Sequence, residues 1–284
     1  MGPRRTASGY LDQEDIVKVG FIGLGSMGLP MAQRLQAAGH DLTVYARRAA
    51  STEPFQGSNA TVAATPAALG AAVDAVGICV FDADGVEEVM FGPAGLVETL
   101  RPGAVVLVHS TVSPTQIRAI AERAAAHDLR VLDAPVSGGA PRAQTGELTI
   151  MIGGDAGALT DVTDLLSALS DHVIHLGAIG AGSHAKLINN TLFAAQITLA
   201  DDAMKAGASL GVDPAGLATV LMTSSSACVA SGLRLRAGST AGVAASPAGP
   251  PLVKDVHLMS ELLGDAPGHE LLDVAHRFTA AAHP

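Results

Sequence analysis

The stretch Val19–Ala32, VGFIGLGSMGLPMA, decides how the chain is read. It starts as a short apolar, β-rich run and passes through Gly23, Gly25 and Gly28 in the order GxGxxG. It continues as SMGLPMAQRLQAAGH, with apolar residues at helical spacing and Gly39 as a stop signal. A strand that enters a helix through this pattern is the signature of a dinucleotide-binding turn. One glycine makes the tight turn, one admits a pyrophosphate and one lets the helix pack on the strand. The helix N-terminus then offers unpaired N–H groups to the phosphates. Leu24, Ser26 and Met27 complete this candidate cofactor loop.

Working outward, apolar runs and helical patterns alternate. DLTVYA reads as a second strand, TPAALGAAVD as a helix, AVGICVF as a buried strand and GPAGLVETL as a helix. GAVVLVHS is a strand, SPTQIRAIAERAAAHD a helix that Ser113 can cap, and LRVLDAP a strand. GELTIMIGG, DAGALTDVTDLLSALS and HVIHLG complete the series. Strands that are apolar throughout, separated by helices, predict a parallel sheet covered on both faces. After Gly182 the alternation stops, and SHAKLINNTLFAAQITLADDAMKAGASLG reads as one long helix. The segment 237–251, AGSTAGVAASPAGPP, is low in complexity and is expected to be mobile. The expected organisation is a lead-in at 1–15, which reads as disordered, then a doubly wound α/β domain at 16–178. An all-helical domain follows at 179–284, joined through the long helix.

Composition sets limits on partners. A net charge of −10 argues against nucleic acid and anionic membrane surfaces as partners. No run reaches about 18 uninterrupted apolar residues, so no membrane span is expected. Cys79 and Cys228 are isolated, which fits a reducing cytosol better than a disulfide framework. With aromatics at 3% and no Trp, the core must be filled by Ala, Val, Leu and Gly, which suits close helix-on-sheet packing. The ten histidines show no metal-ligand spacing.

The second strand ends VYARR, about 18 residues beyond Gly28. An NAD-selecting turn places a carboxylate near this point for the ribose hydroxyls. Here Ala46 stands instead, followed by Arg47 and Arg48, whose guanidiniums suit a ribose 2′-phosphate. The expected cofactor is therefore NADP rather than NAD.

In GAGSHAKLINN, residues 180–190, Lys186 stands in a small, apolar run, and on a helix Asn190 shares its face one turn on. Apolar neighbours such as Ala185, Leu187 and Ile188 are expected to lower the lysine pKa toward the range of a general acid or base. The loop VSGGA, following a strand, can gather backbone N–H groups around an anion.

Four segments in this order resemble the β-hydroxyacid dehydrogenases, typified by 3-hydroxyisobutyrate dehydrogenase and tartronate semialdehyde reductase. They are GFIGLGSMGLPMA, DAPVSGGAPRAQTGELTIMIGG at 133–154, GAGSHAKLINN at 180–190, and KD at 254–255. The resemblance implies a Rossmann domain, a helical domain resembling that of 6-phosphogluconate dehydrogenase, and a substrate pocket between them. It implies that Lys186 is the catalytic lysine and Asn190 its substrate-orienting partner. Ser137, Gly138 and Gly139 would bind a small carboxylate substrate, Thr111 would sit near the nicotinamide ribose, and Lys254 would close over cofactor and substrate. The implied activity is hydride transfer between NADP and a small 3-hydroxy acid or its semialdehyde, in a homodimer or homotetramer. Imine or ketone reduction on the same fold, and a cofactor-binding interaction protein without turnover, are the competing functions; the retained Lys186 weighs against both. The family's bulky residues before the KD pair are absent here, and Asp201 and Asp202 stand where many members have one Glu.

Overall fold

The computed structural model describes residues 17–264 and 266–282. The expected lead-in, 1–15, lies outside them, as does Ile16. The chain divides into two compact units, Met1–Lys186 and Leu187–Pro284.

In the first unit the glycine pattern connects β1 (Lys18–Ile22) to α1 (Gly28–Ala37). There follow β2 (Asp41–Tyr45), β3 (Thr61–Val62), α2 (Pro66–Gly70), β4 (Ala75–Ile78) and α3 (Ala83–Phe91). Next come β5 (Val105–Val108), α4 (Pro114–Ala125) and β6 (Arg130–Asp133). These strands form one six-stranded parallel sheet in the order β3-β2-β1-β4-β5-β6. This is the doubly wound dinucleotide-fold order, with the topological switch point between β1 and β4.

Both faces are buried, and β5 shows why its sequence is apolar throughout. Successive strand residues point to opposite faces. Val105 and Leu107 accordingly join the core cluster containing Phe21, Met31 and Leu42, while Val106 and Val108 join the one containing Ile78, Val86 and Ile117. Fully burying one such side chain is worth about 1.5–3 kcal/mol. Ser113 caps α4 as expected: its hydroxyl accepts from the Gln116 N–H, and the Gln116 side chain returns to the Ser113 N–H.

The later strands form a sheet of their own. β7 (Val136–Ser137) pairs antiparallel with β8 (Thr149–Ile152), and β8 pairs parallel with β9 (His172–His175). Between them lie α5 (Gly139–Thr145), α6 (Ala156–Asp161) and α7 (Thr163–Leu169). Gly138 at φ 135° and Gly139 at φ 72° turn the chain after β7, a backbone course other residues resist. One isolated bridge, Asp133 to Gly153, joins the two sheets.

The long helix α8 (Ala181–Ser209) is continuous over 29 residues, as its pattern predicts. In the second unit it is followed by α9 (Pro214–Thr223), α10 (Val229–Ala237), α11 (Thr240–Ala244), α12 (Gly249–Leu263) and α13 (His269–Ala282). Leu187, Ile197, Val256, Leu272 and Phe278 centre its core. Burial pushes the Asp201 carboxyl up, but hydrogen bonds from Lys205 and Arg234 outweigh that and hold it below the usual carboxylate value.

Two local expectations need correction. GPAGLVETL holds only a 3-10 turn at Leu96–Glu98, and the helix lies earlier, as α3. The Asp82 carboxylate caps α3 by accepting from the Gly85 N–H at 2.9 Å, and Val86, Val89 and Met90 supply its buried face. The segment 237–251 is also more structured than its composition suggests. It holds α11 and the start of α12, and a Cβ at Gly249 would collide with the Ala244 carbonyl oxygen. Small residues there permit close backbone approach.

Candidate functional site

Each glycine of the first loop has a distinct steric setting. Gly23 adopts φ 93°, and a Cβ there would collide with the Cys79 carbonyl. At Gly28 a Cβ would collide with the Gly23 carbonyl oxygen, so α1 can pack this closely only on glycine. Gly25 is exposed and faces nothing within 4 Å, leaving room for a ligand at the backbone. The loop thus fits a pyrophosphate where the switch point predicts one.

A cleft of about 540 Å³ opens beside it. Gly23, Leu24, Gly25, Tyr45, Ala46, Arg47 and Arg48 line one side, and Cys79, Val80, Phe81, Asp82 and Glu88 the other. The structure therefore brings the loop and both arginines to one cleft. Ser26, Met27 and Gly28 lie just outside its lining, where the chain enters α1. Glu88, on α3, reaches Arg47 at 3.2 Å in an exposed ion pair. It was missed from the sequence because α3 was not expected there. An acidic Glu87–Glu88 pair followed by an apolar turn was the available signal.

Thr111 lies half-buried after β5. Two neighbours hold this end of the strand. The Ser110 hydroxyl accepts from the Val80 N–H at 2.9 Å. His109 is 4% exposed, its ring stacks on Phe21 and its Nδ1 donates to the Ala134 carbonyl at 2.8 Å. Burial pushes the His109 pKa down to about 4, against the weaker opposing pull of that hydrogen bond, so the ring is neutral near pH 7.

The second group gathers around β7. Ser137 is half-buried in the strand, and Gly138 and Gly139 are exposed immediately after it. The Lys186 ammonium donates from Nζ to the Val136 carbonyl at 2.8 Å, next in the chain to Ser137. Lys186 is half-buried and Leu187 fully buried, whereas Ile188 is exposed, so the apolar surroundings expected of the lysine are only partly present. Asp133, a residue without an expected role, holds the start of α8: its carboxylate accepts from the Gly180 and Ser183 N–H groups. A carboxylate at a helix N-terminus contributes roughly 0.3–1 kcal/mol, and up to about 2 where partly buried.

The third group belongs to the second unit. The Asn190 amide donates from Nδ2 to Asp255 Oδ2 at 2.6 Å, and Lys254 Nζ approaches Asp255 Oδ1 at 3.4 Å. Asp255 is 1% exposed, so a buried carboxylate fixes the orientation of the Asn190 amide. Its place in the KD pair was visible, but its partner 65 positions away was not.

Among the described residues no cluster of three or more His, Cys, Asp or Glu could hold a metal ion. Likewise no helix there is long and apolar enough to cross a membrane.

Comparison with known proteins gives the lineage. Residues 18–177 match the family described as the NAD-binding domain of 6-phosphogluconate dehydrogenase. Residues 180–282 match that described as NAD-binding of NADP-dependent 3-hydroxyisobutyrate dehydrogenase. L-threonate dehydrogenase of Cupriavidus necator is 40% identical over 204 residues, 72% of this chain and 69% of that protein. Human mitochondrial 3-hydroxyisobutyrate dehydrogenase is 33% identical over 210 residues, 74% of this chain and 62% of that protein. The crystal structure of 3-hydroxyisobutyrate dehydrogenase from Salmonella typhimurium superposes with a TM-score of 0.81 at 29% identity, covering 92% of this chain and 93% of that one. With a dinucleotide fold, a lysine beside the Val136–Gly139 segment and these relatives, the chain belongs to the NAD(P)-dependent β-hydroxyacid dehydrogenase family typified by 3-hydroxyisobutyrate dehydrogenase.

Proposed function

We propose that the chain is an NADP-dependent dehydrogenase of small 3-hydroxy acids, or a reductase of the matching semialdehydes, with Lys186 as acid and base. The observation that carries this reading is the 2.8 Å hydrogen bond from Lys186 Nζ to the Val136 carbonyl. It sets an ammonium against the strand that leads into Ser137, Gly138 and Gly139.

Gly23–Gly28 and the first turn of α1 would hold the pyrophosphate of the cofactor, and Arg47 and Arg48 the 2′-phosphate. Thr111 is assigned to the nicotinamide ribose and Lys254 to the bound cofactor and substrate together. When bound, the nicotinamide accepts or supplies the hydride. Every other task falls to the chain itself. Ser137 donates its hydroxyl, and Gly138 and Gly139 their N–H groups, to the substrate carboxylate. Lys186, as the neutral amine, takes the hydroxyl proton in oxidation and, as the ammonium, returns it in reduction. Asn190, held by Asp255, orients that hydroxyl.

Ala46 with two adjacent arginines in the cleft favours NADP, and the family matched by the second half is described as NADP-dependent. The relatives named for L-threonate and 3-hydroxyisobutyrate support a small hydroxy carboxylate as substrate. Exposed Ile188, Leu192 and Leu199 along α8 support a homodimer or homotetramer, which sedimentation would measure.

The test is steady-state turnover of a panel of 3-hydroxy acids and their amides with NADP and NAD. The free acids should react much faster than the amides, and NADP should outcompete NAD. Equal turnover of acid and amide would remove the carboxylate site and favour ketone or imine reduction.

A further inference from the structure

Asp133 closes β6, is 1% exposed, and has no task in the chemistry above. Its Oδ1 accepts from the Gly180 N–H at 2.8 Å and its Oδ2 from the Ser183 N–H at 2.6 Å. Amides at the start of a helix have no acceptor within it. One carboxylate therefore satisfies two donors at the head of α8.

The surroundings are built for this approach. A Cβ at Gly153 would collide with Asp133 Oδ1, and one at Gly182 would collide with the Met151 carbonyl and crowd Asp133 Oδ2 at 3.0 Å. Glycine at both positions makes room for the carboxylate against the helix. The Asp133 backbone is itself fixed, donating to the Gly153 carbonyl at 3.1 Å and accepting from the Gly153 N–H at 2.9 Å.

The same residue stands close in the chain, or through its hydrogen bonds, to both ends of the Lys186 contact. Val136, whose carbonyl accepts from Lys186, follows Asp133 by three positions, and Lys186 follows Ser183 by three, one helical turn on. A shift of the carboxylate would move the helix that carries the ammonium relative to the strand that receives it.

We propose that Asp133 is a positioning residue for catalysis: by pinning the first turn of α8 it keeps Lys186 aligned with the Val136–Gly139 segment. The proposal rests on the reading of Lys186 as the proton carrier.

The experiment compares Asp133→Asn with Lys186→Ala in the full chain, measuring kcat, KM and NADP affinity for each. Asn keeps the size but offers one acceptor, turning its amide hydrogens toward the second donor. Misplacement by about 1 Å can cost about 10²-fold in rate. Asp133→Asn should therefore lose roughly 10- to 100-fold in kcat, while KM and NADP affinity stay within about 2-fold. A helix cap with no catalytic consequence would lower thermal stability and leave kcat intact, and that result overturns the proposal. So does a variant that raises KM at unchanged kcat. If Lys186→Ala itself keeps normal turnover, the underlying reading of the lysine fails first and takes this proposal with it. Should Asp133→Asn not fold, amide hydrogen exchange in the unmodified chain decides. The Gly180 and Ser183 amides should exchange as slowly as the interior of α8, and exchange at the rate of open helix ends would overturn the proposal.

Discussion

Lowering the pH should destabilise this protein through His109 well before most carboxylates titrate. The ring is buried against Phe21 and is neutral in the fold, with its pKa pushed from 6.5 down to about 4. The unfolded chain binds the proton near pH 6.5, so between pH 6.5 and about 4 it holds one more proton than the native state. Stability therefore rises with pH across that window: the contribution is complete above 6.5 and is lost progressively as pH falls. At about 1.36 kcal/mol per pH unit, moving from neutral pH to pH 5 should cost about 2 kcal/mol through this residue. His40, also buried and also lowered by desolvation, acts in the same direction. The assay is urea unfolding of the unmodified chain and of His109→Gln at pH 7.5 and pH 5, at fixed protein concentration. Gln is polar but carries no titrating group. The variant should be less stable at pH 7.5 from lost packing, and the gap should shrink by about 2 kcal/mol at pH 5. Carboxylates contribute equally to both proteins and cancel. Parallel pH dependence in the two would refute the assignment of a buried neutral imidazole.

Lys186→Ala should keep fold and NADP binding but lose about 10²–10⁴-fold in turnover, and Lys186→Arg should fare little better because guanidinium stays protonated. Asn190→Ala should lose less, since it disturbs orientation and leaves the proton carrier in place; near-normal turnover of Lys186→Ala would end the mechanism. Replacing both Arg47 and Arg48 with Ala should remove charge-assisted bonds worth roughly 1.5–3 kcal/mol each and level the preference for NADP, as read by titration with each cofactor. Gly28→Ala should abolish cofactor binding where Gly25→Ala leaves the fold intact, because only the first drives a methyl group into the Gly23 carbonyl; equal melting temperatures for the two would contradict that crowding.

Sequence carried the fold furthest where the determinants are local. The three glycines, the Ser113 cap and the apolar strands each announce themselves within a few residues, and the structure has them. The helix α3 escaped because Gly85 interrupts its first turn and a proline–glycine stretch follows it. The segment 237–251 looked structureless because its small side chains give no periodic apolar signal, although they are what lets the backbone of α11 and α12 come close. Site residues were missed for a different reason. Glu88, Asp133 and Asp255 act on partners 41, 47 and 65 positions away, distances that no local spacing rule reads. Lys186 was read as a helix position sharing a face with Asn190, but its acceptor, the Val136 carbonyl, belongs to the backbone and has no sequence signature at all.

The placement of Tyr45 has an optical consequence. The chain has no Trp and only two Tyr, and Tyr45 ends β2 in the lining of the cofactor cleft. Near-ultraviolet emission thus comes from a very small set of rings, one of which borders the arginines. A nucleotide bound in the cleft should change the surroundings of that ring, and the expected readout is a change in intrinsic tyrosine fluorescence on titration, without any label. Tyr45→Phe would remove this signal while leaving an apolar ring in place, which identifies Tyr45 as the reporter of occupancy.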